Sequence, residues 1–188
     1  MVARSNNLAD IAIALGIAGL VAWNIMRRNS GVVTTSALIN PGSTAGPPTS
    51  VRPVSGPLGI RNNNPGNIRP PLIPFRGQVG SNSGYAVFDT AINGVRAIFK
   101  LLRTYRTSYG LDTIAKIGNR WAPPSENATG SWVSNVANAS GIGMNARLDV
   151  FNFATAVALA RGIIVAENGP SYKSYYPSDV FTKAWGAI

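Results

Sequence analysis

Neither cysteine nor histidine occurs among the 188 residues. Their absence removes disulfides, thiol nucleophiles, His-dependent triads and ordinary zinc sites, and no metal or cofactor is expected. Carboxylates are scarce too: Asp10, Asp89, Asp112, Glu126, Asp149, Glu167 and Asp179 are all there are. Any hydrolytic chemistry must therefore rest on one or two of them, with Tyr, Ser or Asn in support. Charged residues make up 13% of the chain, about half the usual share. Asn, Ser, Thr and Gly carry the polarity instead, so partner surfaces should be mostly uncharged and polar.

The charge present is lopsided. Lys and Arg number 17 against 7 Asp and Glu, a net +10, which suits a polyanionic neighbour such as anionic lipid, nucleic acid or an acidic envelope polymer. The bases are spread singly, without a helix-turn-helix, zinc-finger or RNA-binding signature, which limits any nucleic-acid contact to non-specific binding. All of them except Arg4, Arg27, Arg28 and Arg52 fall in residues 59–188.

Three segments follow from composition. Residues 1–28 hold an apolar run from Leu8 to Met26, which as a helix is about 28 Å long, close to the thickness of a bilayer core. Asp10 falls in its first turn, and Trp23, Arg27 and Arg28 form an interfacial end. Asn24 to Arg28 replace the small-residue cleavage site of a signal peptide, so the expectation is an uncleaved single-pass transmembrane anchor. Residues 29–58 carry Pro41, Pro47, Pro48, Pro53 and Pro57 among Ser, Thr and Gly, a linker composition too polar to bury a core. Residues 59–188 are the globular part.

Within that part, Gln78 to Gly80 and Tyr85 to Phe88 read as a hairpin. Ile92, Val95, Ile98, Phe99, Leu102 and Tyr105 share one face of a helix capped by Thr90 and stopped by Gly110. Gly94 inside this helix costs about 1 kcal/mol relative to Ala, which points to close packing against another backbone. Further helices are expected from Thr113 to about Trp121, Thr129 to about Ala139, Asp149 to about Ala166 and Ser178 to about Ala187, each opened by a cap candidate. The fold class is mainly α (α+β) with one small β-hairpin.

The stretch from Gly59 to Arg69 places Asn62, Asn63 and Asn64 before Pro65-Gly66-Asn67. Asn amides both donate and accept without charge, and these residues favour turns. A loop of this kind suits the acetamido and hydroxyl groups of a sugar.

Taken in order, Gly59 to Arg69, Phe88-Asp89-Thr90 with Gly94 to Ala97, Leu101-Leu102 with Tyr105, Tyr109 to Ile114, Trp121 to Thr129, and Glu167-Asn168-Gly169 resemble phage and prophage virion structural proteins. These proteins carry a lysozyme-like, lytic transglycosylase-like domain presumed to process peptidoglycan. Family members commonly place a His before the Glu-Asn-Gly triplet and a Pro-Tyr after it, where this chain has Ala166 and Pro170-Ser171-Tyr172. Arg76 also interrupts the aromatic-Gly pair expected after the asparagine loop.

The resemblance implies a helix-end glutamate that protonates a glycosidic oxygen, and Glu167 is the matching acid. Its preceding helix is apolar on most sides, and desolvation there raises a carboxyl pKa toward what an acid needs. Glu126, ahead of a helix start, is the weaker alternative. Asn62, Asn63, Asn64, Asn67, Asn168 and Tyr172 are the expected substrate-binding residues, with Tyr175 and Tyr176 nearby in the chain. Because the acidic helix lies near the C-terminus, a circularly permuted arrangement is expected, with Glu167 facing Asn62, Asn63 and Asn64. Two functions are open: cleavage or binding of peptidoglycan during genome entry by a membrane-anchored virion protein, or a non-catalytic structural membrane protein of the virion whose degenerate lysozyme-like domain contacts neighbouring subunits in an oligomer, glycan or genome.

Overall fold

The computed structural model describes Pro53, residues 55–125 and residues 128–188. The expected anchor at 1–28, nearly all of the linker and Glu126 lie outside the described residues. Among the described residues no helix is long and apolar enough to cross a membrane. The architecture is mainly helical with one two-stranded antiparallel sheet.

The chain enters through a single helical turn, α1 (Leu58–Arg61), which the turn-rich sequence does not announce. Strands β1 (Gln78–Asn82) and β2 (Tyr85–Phe88) pair antiparallel through Ser83 and Gly84. Both turn residues have positive φ, 53° and 82°, the backbone twist that two-residue hairpins need. β1 is almost wholly exposed, whereas Ala86, Val87 and Phe88 of β2 are buried. The other edge of β2 is covered by the asparagine loop, since Ala86 N–H donates to Ile68 O and Phe88 N–H to Asn62 O, both at 2.9 Å.

Helix α2 (Ala91–Tyr109) has the expected boundaries: Thr90 accepts from Asn93 N–H, and Gly110 ends the helix in the left-handed region. Val95, Ile98, Phe99, Leu102 and Tyr105 are all buried. Gly94 is the close approach that its composition suggested, because a Cβ there would collide with the Asn63 carbonyl oxygen. Helix α3 (Ile114–Trp121) is capped by Thr113, which accepts from Lys116 N–H.

Helix α4 (Thr129–Ser140) starts without a side-chain cap. Thr129 is its first helical residue rather than its cap, and the hydroxyl donates back to Ala122 O. Helix α5 (Phe153–Asn168) starts four residues later than Asp149, with Asn152 as cap. Asp149 instead accepts from Phe151 N–H at 3.0 Å, closing a turn that delays the helix. After the 3-10 turn Pro170–Tyr172, helix α6 (Ser178–Gly186) begins behind Pro177 with no side-chain cap.

The core centres on α5 packed along α4, with α2 bridging to α6. Gly162 lets α5 approach α4 closely, since a Cβ there would stand 2.8 Å from Val136 O. Ala156, Leu159, Ala160, Ile163 and Ile164 of α5 join Phe99, Val136 and Phe181 in one cluster. Burying a large apolar side chain stabilises by about 1.5–3 kcal/mol, so this cluster holds the last turn of α5 rigidly against the loop from Asn62 to Ile68.

Candidate functional site

Glu167 sits in that last turn, half-buried, a hundred residues from the asparagine loop in sequence and in contact with it in space. Its Oε2 accepts from Asn67 Nδ2 at 3.0 Å, and its Oε1 accepts from Trp132 Nε1 at 2.9 Å. Asn67 also reaches the Glu167 backbone carbonyl at 3.4 Å. α4 supplies Trp132, α5 supplies Glu167, and the turn after Pro65 supplies Asn67, whose φ of 46° is one that Asn tolerates better than most residues.

The tryptophans form a wall beside the carboxylate. Trp132 stacks on Trp121 at 6.1 Å between ring centroids and 26° between planes. Trp121 meets Tyr105 edge-on at 6.0 Å, and its indole N–H donates to Gly66 O at 3.2 Å. Burial pushes the Glu167 carboxyl above its ordinary range, and the N–H groups of Trp132, Asn67 and Trp121 pull it partly back. The result is a carboxyl that takes up a proton more readily than a solvated one, the condition a general acid needs.

Asn168 braces the same junction, donating to Pro65 O at 2.7 Å and to Ile164 O at 3.0 Å. Its Oδ1 and that of Asn67 are buried without hydrogen-bond partners, an arrangement that costs about 1–3 kcal/mol per group. Both oxygens converge on Gly59, where a Cβ would stand 2.5 Å from the first and 2.7 Å from the second.

No family model matches the sequence. Over 131 residues, however, the chain is 36% identical to Protein P5 of Pseudoalteromonas phage PM2, covering 62% of this chain and 74% of that protein. The chain belongs to the Protein P5 family.

In this member of the Protein P5 family the three consecutive asparagines do not face Glu167; Asn67 does. Asn62, Asn63 and Asn64 are 1%, 4% and 0% exposed; the amides of Asn63 and Asn64 and the Oδ1 of Asn62 are used on the protein itself, while Asn62 Nδ2 has no partner among the described residues. Asn64 donates to Ile68 O and Ala86 O and accepts from Ile68 N–H, each at 2.9 Å. Asn63 donates to Phe88 O and Asp89 O at 3.3 and 3.2 Å, and Asn62 Oδ1 accepts from Asn82 Nδ2 at 3.1 Å. Asn63 and Asn64 lash the loop to β2 and Asn62 ties it to the end of β1, and contact with a sugar would require the loop to open. The turn chemistry of the sequence is correct, but the side chains point inward because the backbone groups of β2 need partners.

Tyr172 is half-buried in a ring cluster, 5.3 Å from Tyr175, which is 4.9 Å from the buried Tyr176. The remaining described carboxylates are engaged elsewhere. Asp89 binds Asn93 and Thr90, Asp179 pairs with Lys183, and Asp112 gathers Lys116, Arg106 and Arg147. Sequence reasoning missed Trp121 and Trp132. Trp121 lies in a motif that carried the resemblance, but nothing local ties Trp132 to a glutamate 35 positions away.

Proposed function

We propose that this phage protein is a virion component, anchored in a membrane by residues 1–28, whose lysozyme-like domain acts on peptidoglycan with Glu167 as the acid. The observation that carries the reading is the Glu167–Asn67–Trp132 junction: a half-buried carboxyl at the end of an apolar helix, beside stacked indoles and a polar turn. Membership of the Protein P5 family supports the phage origin. The juxtaposition of a C-terminal acid helix with the loop at Gly59 to Arg69 supports a permuted lysozyme-like layout.

Protonated Glu167 gives its proton to the glycosidic oxygen as the bond to the anomeric carbon breaks, a hydroxyl of the same sugar attacks that carbon to close an anhydro ring, and the Glu167 carboxylate takes up the proton that this hydroxyl releases. This route needs one carboxyl rather than the pair about 5–9.5 Å apart used by two-carboxylate glycosidases, in keeping with the other described carboxylates being engaged elsewhere. Tyr172 and the Trp121 ring edge are the groups assigned to the glycan, with Asn67 holding the Glu167 carboxylate in place. Sacculi treated with the native chain should lose turbidity, and Glu167→Gln should slow the loss about a hundredfold or more. Equal clearing by both proteins would remove Glu167 from the mechanism.

A second reading has its own observation. Each Glu167 oxygen already holds an N–H donor, so the carboxylate also serves as a tie between α4 and the asparagine loop. A domain using it only in this way binds glycan or neighbouring virion subunits without cutting. Sacculus binding without clearing, by the native chain and Glu167→Gln alike, selects that reading.

A further inference from the structure

About 21 Å from Glu167, at 1.5 Å per residue along α5, the opposite end of the helix carries a second chemically distinct surface. Phe151 and Phe153 are 53% and 40% exposed, flanking the cap residue Asn152. The Arg103 guanidinium lies 4.3 Å from the Trp185 ring centroid and 5.7 Å from that of Phe151. Its Nε is buried with no hydrogen-bond partner among the described residues, so there aromatic faces rather than a carboxylate hold this cation.

Beside it, a groove of about 330 Å³ is lined by Arg106, Arg147, Leu148, Asp149 and Phe151. Arg106 and Arg147 approach Asp112 only at 3.9 and 3.8 Å, while Lys116 holds that carboxylate at 2.8 Å. One carboxylate thus serves three cations. Even counting Asp149, which accepts from Phe151 N–H at 3.0 Å, positive charge predominates. None of this contributes to the Glu167 junction.

We infer that this groove binds single-stranded nucleic acid, with phosphates at Arg106 and Arg147 and a base stacked on Phe151. The occupant follows from the shape and the chemistry together. Anionic groups are needed to balance the arginines, and an exposed aromatic ring stacks on unpaired bases but not on the closed stack of a duplex. The groove is shallow, and a strand lying along it meets Arg106, Arg147 and the Phe151 ring together.

Anisotropy of a fluorescein-labelled oligothymidylate mixed with the full-length chain tests the inference. Arg106→Ala combined with Arg147→Ala should weaken binding at least roughly tenfold at low salt and flatten the slope of log affinity against log salt by about 1.4, from about 0.7 per lost phosphate contact. Phe151→Ser should weaken binding roughly tenfold with the slope unchanged, as expected for a stacking loss. Arg147→Glu alone, at a side chain 79% exposed, keeps the test decisive if the double variant unfolds. Two results overturn the inference. One is an equal loss from Arg61→Ala combined with Lys183→Ala, showing a general charge effect. The other is no oligothymidylate binding by the native chain while the groove variants lose affinity for phosphatidylglycerol vesicles, which would make the surface a lipid contact.

Discussion

Glu167 is where the chemistry of a single side chain governs the behaviour of the protein. Its folded-state pKa lies above the ordinary value because burial disfavours the charged form more than its N–H donors favour it. The folded state therefore binds this proton more tightly than the unfolded chain does. The contribution is most favourable below the unfolded value of about 4.3 and declines as pH rises through the raised folded value. Melting temperatures from about pH 4 to 7 should show the native chain losing ground against Glu167→Gln as pH rises. A constant offset between the two would mean that the carboxyl titrates alike in both states. Tyr105 shows the same physics without a catalytic consequence: burial pushes its hydroxyl up to about 12, against the pull of Arg120.

Among the secondary-structure elements, the loop between α1 and β1 depends most on individual side chains. It has little regular backbone bonding of its own, and Asn64 substitutes for it by bridging Ile68 and Ala86 with three hydrogen bonds. Asn64→Ala would leave buried backbone groups unpaired, and we expect a loss of about 3 kcal/mol in urea unfolding. The cost should be similar at pH 5 and 7, because no charge is involved. A loss under about 0.5 kcal/mol, typical of a surface substitution, would show that the loop finds other partners. The helices were more legible than this loop. Apolar spacing fixed α2 because its period matches a buried stripe, and Thr90 and Thr113 cap where the pattern starts. Asp149 misled because Asp closes turns as readily as it caps helices, and only the position of Phe151 N–H separates the two outcomes.

For the molecule as a whole, uneven charge is the dominant electrostatic fact. The globular part holds most of the bases in a chain of net charge +10, and few described acids offset them. Self-repulsion of this kind destabilises the compact state and is screened by salt. Raising ionic strength from about 0.01 to 0.15 M, where the Debye length falls from about 30 to 8 Å, should raise the melting temperature by about 2–4 °C, corresponding to about 1 kcal/mol. Differential scanning calorimetry checks the sign. A fall with salt would show that the pairs around Asp112 and Asp179 outweigh the repulsion. The polar junction at one end of α5 and the arginine–phenylalanine groove at the other lie at opposite ends of one helix.

Sequence alone determined the class of the fold, because helical and strand periods are local properties written into residue spacing, and it excluded thiol, disulfide and histidine chemistry by composition. It also singled out Glu167 and the loop from Gly59 to Arg69 as belonging together. Tertiary structure decided which asparagine meets the acid. Asn67 reaches Glu167, while Asn62, Asn63 and Asn64 turn inward, the last two to satisfy β2 and its end. It also brought Trp132 onto the carboxylate from another helix and set Arg103 between two aromatic rings. Those pairings join residues far apart in the chain, and they depend on how α4, α5 and the loop pack rather than on any local pattern.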